Sequence, residues 1–85
     1  MNYRVEVEKR AVKHLSSLEA RLRDRVLDVL DSLCRDPRPQ GCSKLKGRSS
    51  PAWRIRVGEY RILYRIHDDQ KLLRVYGVLR RDEAY

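Results

Sequence analysis

Arginine is the residue type with the most chemistry to offer in this chain. Seven of the eight basic residues after Pro51 are arginines, and they recur at even spacings within short runs: Arg54 and Arg56, Arg61 and Arg65, Arg74 and Arg80. A guanidinium binds paired oxygens through a rigid fork and stacks on flat rings, so it suits phosphate and nucleobases better than lysine does. Tyr76 and Tyr85 add rings for stacking or proton transfer. The reaction within reach of such a set is RNA cleavage by the neighbouring 2′-hydroxyl. Cations stabilise the charge developing on the phosphorane, and a phenol or another base moves the proton. Other catalytic constellations are missing: no Gly-rich phosphate loop, zinc-ligand spacing or Ser-His-Asp set occurs. Asp68-Asp69 suits a turn better than paired-carboxylate work. His14 falls in helical sequence and His67 in a turn, and both read as ordinary surface histidines. No metal and no cofactor is expected.

Strands must carry these arginines. Trp53, Ile55 and Val57 alternate with Arg54 and Arg56, as side chains do on the two faces of a strand. Gly58-Glu59 has the composition of a two-residue type II′ turn. Tyr60, Ile62, Tyr64 and Ile66 then alternate with Arg61, Leu63 and Arg65. After a polar break at His67-Asp68-Asp69-Gln70, alternation predicts Leu73, Val75, Gly77 and Leu79 on the apolar face, and Arg74, Tyr76, Val78 and Arg80 on the other. The product is a three-stranded antiparallel meander with one apolar face and one face of arginine and tyrosine. Arg54, Arg56, Arg61 and Arg65 recur on adjacent strands without acidic cross-strand partners, an unfavourable arrangement unless something outside the chain compensates it. The bland alternative is that exposed strands carry charge for solubility.

The first half must cover the apolar face. Tyr3, Val5 and Val7 alternate with Asn2, Arg4 and Glu6, which reads as a short strand. From Glu8 the period changes: Ala11, Leu15, Leu18, Leu22, Val26, Leu27, Val29, Leu30 and Leu33 form a helical stripe reaching about Arg35. A single 25-residue rod would overhang so small a domain, so two helices are expected, with the break between residues 16 and 21. Asp36-Pro37-Arg38-Pro39 ends them. Residues 42–50 read as a basic loop carrying Lys44, Lys46 and Arg48. The expected class is α+β, one domain over residues 1–85: an N-terminal strand, a helical hairpin, then the meander, with the helices packed on one face of the sheet.

The chain has 85 residues and a net charge of +8, with 41% hydrophobic and 38% charged residues. That charge favours an acidic partner such as nucleic acid. No apolar run approaches bilayer length and no secretion signal is seen, so a cytoplasmic protein without a membrane partner is expected. Cys34 and Cys42 show no metal-ligand pattern. A bridge between them is one account, and two reduced thiols the plainer one.

Several motifs resemble the RelE/ParE superfamily of toxins from bacterial and archaeal toxin–antitoxin pairs, on the RelE side. They are Val7-Glu-Lys-Arg-Ala11, Lys44-Leu-Lys-Gly47, Trp53-Arg-Ile-Arg-Val-Gly-Glu-Tyr-Arg-Ile-Leu-Tyr64 and Leu79-Arg-Arg-Asp-Glu-Ala-Tyr85. The resemblance spans nearly the whole chain, and its third motif is the specific one. It implies a ribosome-dependent endoribonuclease that cuts messenger RNA in the decoding site and is neutralised by a cognate, RelB-like antitoxin. It assigns catalytic positions to Arg54, Arg56, Arg61, Arg80 (or Arg81) and Tyr85. Lys44, Lys46, Arg48, Arg65, Arg74 and Arg81 are the expected RNA-binding set. Arg54 and Arg56 stand where the best-known RelE has lysines, and arginine cannot act as a base, which leaves them electrostatic roles. Two other readings share the fold: a ParE-like toxin that poisons DNA gyrase, and a binding domain for nucleic acid or antitoxin without activity.

Overall fold

The structure is a computed structural model that describes residues 2–45 and 51–81. Five strands and two helices run in the order β1 (Arg4–Val7), α1 (Lys9–Ser16), α2 (Ala20–Arg35), β2 (Ser43–Leu45), β3 (Ala52–Val57), β4 (Tyr60–His67) and β5 (Leu72–Arg80). The strands form one sheet in the order β1-β5-β4-β3-β2. Both helices lie against one face, giving the expected α+β layout.

The helical stripe breaks where small and polar residues collect. Residues 17–19 separate the two helices, and Leu18 between them is buried. On α2 the buried residues are Val26, Leu30 and Leu33, spaced four and three apart on one face. Asp36 closes the helix in an extended conformation, as the residue before Pro37 must. Ala11, Leu18, Val26, Leu30 and Leu33 meet Val57, Ile62, Tyr64, Leu73, Val75 and Val78 of the sheet to form the core. Burying an aliphatic side chain of this kind contributes about 1.5–3 kcal/mol.

The meander is present, with Val57 paired to Tyr60 across Gly58-Glu59. Gly58 has φ +60°, and Lys71 is the one non-glycine residue with positive φ among those described. A left-handed first turn position followed by an ordinary second one is the type II′ arrangement.

Two features correct the reading from sequence, and a third completes it. The first is a bulge: Leu63 pairs with Gly77 but Tyr64 pairs with Val75, so Tyr76 is an extra residue in β5. Up to the bulge, Leu73 and Val75 face the helices as expected. Beyond it the phase reverses, so Val78 enters the core and Leu79 pairs with Arg61 on the open face. Gly77 permits the local approach, since a Cβ there would stand 3.4 Å from Leu63 Cδ1. Second, residues 43–45 are not loop but an edge strand paired to β3. Third, β1 joins the sheet parallel to β5, with Glu6 opposite Arg74. His14 is likewise no ordinary surface histidine: it is half-buried, and its Nδ1 accepts the Val78 N–H at 3.1 Å. This satisfies a β5 donor beyond the end of β1.

Candidate nucleic-acid interface

The open face divides along its strands. At the β3–β4 turn end, Arg56 lies directly opposite Arg61, and Arg54 sits two residues along β3 on the same face. The loop between α2 and β2 walls this end. Together Gln40, Gly41, Ser43, Arg54, Ile55, Arg56 and Arg61 line a concavity of about 400 Å³. The wall is tied down from beneath the sheet. The buried Tyr64 hydroxyl donates to Pro37 O at 2.9 Å, and Arg38 grips Asp68 at 2.8 Å while lying over the Trp53 ring at 5.3 Å. Burial, then the neighbouring Cys42, pushes the Tyr64 phenol far above its ordinary value, so it stays a donor.

The electrostatics of this end are those of gathered like charges. The Arg61 guanidinium is pushed below its ordinary value by desolvation, then by Arg54, Arg56 and Arg81. It remains charged, because arginine does not deprotonate in proteins. Arg56 makes no ion pair among the described residues. Such a group favours an arriving anion with several oxygens.

At the β1 end the same face is compensated. Arg65 lies opposite Arg74, but Arg74 reaches Glu6 at 3.0 Å and Arg65 stacks on Tyr76 at 4.4 Å. Glu6 also meets Arg4 at 3.6 Å. Between the two ends the face is apolar: Leu63 and Gly77 are buried and Leu79 half-buried.

Several sequence-derived site residues thus come together and others do not. Arg54, Arg56 and Arg61 share the concavity. Arg80 pairs with Tyr60 on the helix side, away from them, because the bulge reversed the phase of β5. Arg81, the next residue, is the one whose charge acts on Arg61. Arg65, Arg74 and Tyr76 occupy the other end of the same face. Lys44 lies opposite Trp53, on the helix-side face at the sheet edge. Lys46, Arg48 and Tyr85 lie outside the described residues.

A family model described as ParE toxin of type II toxin-antitoxin system, parDE, matches residues 5–85. The chain belongs to this toxin family. RelE1 of Methanocaldococcus jannaschii, a candidate toxin by its name, is 28% identical over 88 residues, spanning 100% of this chain and 97% of that protein. Among solved structures, the RelE–RelB complex of Pyrococcus horikoshii OT3 matches at 32% identity and TM-score 0.86, over 99% of this chain and 100% of that one. The toxin–antitoxin complex RelBE2 of Mycobacterium tuberculosis matches at 26% identity and TM-score 0.83, over 94% and 99%. The toxin is therefore a member of the RelE/ParE superfamily, with the fold of RelE-like toxins.

Sequence reasoning missed the wall that shapes the toxin's concavity and the residues that hold it, Arg38 and Tyr64. It also placed Arg80 on the wrong face. A signal for that was present: an interior strand glycine such as Gly77 often marks a bulge. No helix among the described residues is long and apolar enough to cross a membrane.

Proposed function

We propose that this toxin is an endoribonuclease that cuts messenger RNA in the decoding site of the ribosome, and that a RelB-like antitoxin neutralises it. The observation that carries this is the gathering of Arg54, Arg56 and Arg61 around one concavity, with Arg81 acting on the same charge. A scissile phosphate there meets several guanidinium forks. The 2′-oxygen attacks phosphorus and its proton passes to a base. Cations stabilise the five-coordinate intermediate, the bond to the 5′-oxygen breaks, and that oxygen takes up a proton. The products are a 2′,3′-cyclic phosphate and a 5′-hydroxyl. One well-placed charge stabiliser is worth about 10²–10³ in rate. Arginine serves only as electrostatic support, so proton transfer falls to Tyr85, as the resemblance implies. Of the two arginines it leaves open, Arg81 takes the role beside Arg61. Arg65 and Tyr76 offer a stacking platform for a flanking base; Lys46 and Arg48 are proposed to contact the strand, whereas Lys44, on the helix-side face at the sheet edge, stands apart from it. Arg74, tied to Glu6, contributes least.

The test is cleavage of a defined message on purified ribosomes. Loss of cleavage in Arg61→Ala and Arg81→Ala supports the assignment, and cleavage at the original rate in both removes these residues from the mechanism. A second reading, poisoning of DNA gyrase, is favoured by the match to the ParE family model. Inhibition of gyrase-driven supercoiling with no cleaved message would establish it instead.

A further inference from the structure

The bulge that takes Arg80 off the open face delivers it to a second cleft. This cleft, about 630 Å³ in volume, lies between the start of α2 and the β3–β4 turn. Arg21 and Arg25, one helical turn apart on α2, and Arg80 at the end of β5 bring three guanidinium groups to it. Leu22 and the half-buried Tyr60 ring supply apolar surface beside them. The Gly58 backbone borders this arrangement, with the Arg25 guanidinium close beside it. Glu19 and Glu59 line the same cleft, yet among the described residues neither Arg21 nor Arg25 makes an ion pair.

We propose that this cleft is a second RNA-binding site, taking backbone phosphates and one base of the strand that flanks the segment held on the open face. The guanidinium groups take phosphate oxygens, and the Tyr60 ring offers a stacking surface. Continuity favours RNA over an acidic protein segment. Arg80 and Arg81 are consecutive, and the Arg81 N–H donates to Glu59 O at 2.9 Å, so the two sites meet at a two-residue turn. A strand leaving the Arg61 concavity reaches the cleft by rounding that end of the sheet. The proposal rests on the RNA reading of the open face.

Binding of 2′-O-methyl RNA, which cannot be cleaved by its own 2′-oxygen, to the full chain tests it. A trinucleotide fills the open face alone, whereas a strand of about 15 nucleotides reaches both sites. The double variant Arg21→Gln/Arg25→Gln is expected to bind the longer strand about tenfold more weakly and to lower its salt slope by about 1.4, with trinucleotide binding unchanged. Glu19→Gln/Glu59→Gln, which removes negative charge from the cleft, is expected to tighten the longer strand about threefold. Longer-strand binding unchanged in both double variants, but weakened by Arg56→Gln/Arg61→Gln, overturns the second site and leaves the open face standing. Indifference of RNA binding to all three overturns the RNA reading itself. Loss of antitoxin affinity in Arg21→Gln/Arg25→Gln without loss of RNA affinity assigns the cleft to the antitoxin and overturns the proposal.

Discussion

Two pairs of arginines face each other across the same sheet, and the chain treats them differently. Arg65 opposite Arg74 is relieved from within, by Glu6 on the neighbouring strand and by the Tyr76 ring. Arg56 opposite Arg61 is joined by further positive charge from Arg54 and Arg81. Like charges directly across a ladder cost stability, so relief at one end and accumulation at the other separates scaffold from site. Charge that the fold compensates is structural. Charge that it gathers around a concavity marks the candidate site.

The largest expected effect breaks this contrast at the level of function. Removing Arg61 or Arg56 by alanine substitution should slow ribosome-dependent message cleavage by about 10²-fold or more, because a phosphorane loses a preorganised cation. Arg74→Ala should leave the rate within about threefold, since exposed ion pairs are worth little and this one faces Glu6. Cleavage kinetics on the three variants decide it, and equal losses at the two ends would dissolve the distinction. Thermal melts should run the other way. Arg56→Ala leaves the melting temperature unchanged or raises it, whereas Arg74→Ala lowers it slightly.

The next effect concerns the bulge, which decides which arginines belong to which end. Val78→Ala should cost about 2 kcal/mol in denaturant unfolding, because Val78 is 2% exposed and its removal leaves a cavity. Leu79→Ala, on the half-buried open face, should cost under about 1 kcal/mol. A reversed ranking would restore strict alternation and return Arg80 to the Arg61 concavity. His14→Ala should cost about 1–2 kcal/mol, since the Val78 N–H loses its acceptor. Cleavage should fall with it, through Arg81 at the end of the same strand. Native melting in His14→Ala would show that water serves Val78 equally well.

Periodicity made most of this fold legible. The helix break, the type II′ turn and the three meander strands follow from local spacing and from Gly58. The helices' cover over one face follows from the burial stripe Val26–Leu30–Leu33. What escaped was long-range. The three residues of β2 are too few to show a period, and the pairing of β1 with β5 depends on chain closure. The β5 bulge inserts one residue into an otherwise regular alternation, so everything after Tyr76 inverts. The candidate site was legible in its residue types and in Arg54, Arg56 and Arg61, whose strands carry no irregularity between them. The choice between Arg80 and Arg81 was not legible, because it turns on that single inserted residue. Nor was Glu6 as the partner of Arg74, since 68 residues separate them.

The smallest effect uses acid to loosen the contact that holds the wall of the Arg61 concavity. Asp68 accepts hydrogen bonds from Arg38 at 2.8 Å and from the Tyr3 hydroxyl at 2.6 Å. The Arg38 bond first, then the Tyr3 bond, holds the Asp68 carboxyl down at about 2, below its ordinary 3.8. A carboxylate with a lowered folded-state value adds stability at every pH above its ordinary value. That contribution fades as the pH falls from about 4 and is gone once it has passed below about 2. In Asp68→Asn the contribution is absent throughout. Melting temperatures of the two proteins should therefore differ at pH 7 and converge near pH 2, with the wild type the more stable at neutral pH. A gap that stays constant across that range would mean that Asp68 acts through shape and not through charge. Because Arg38 also lies over Trp53 beside the α2–β2 wall, RNA affinity at the Arg61 concavity should fall modestly in Asp68→Asn at pH 7, by about twofold. An unchanged affinity would mean that the Asp68–Arg38 contact stabilises the fold without shaping the site.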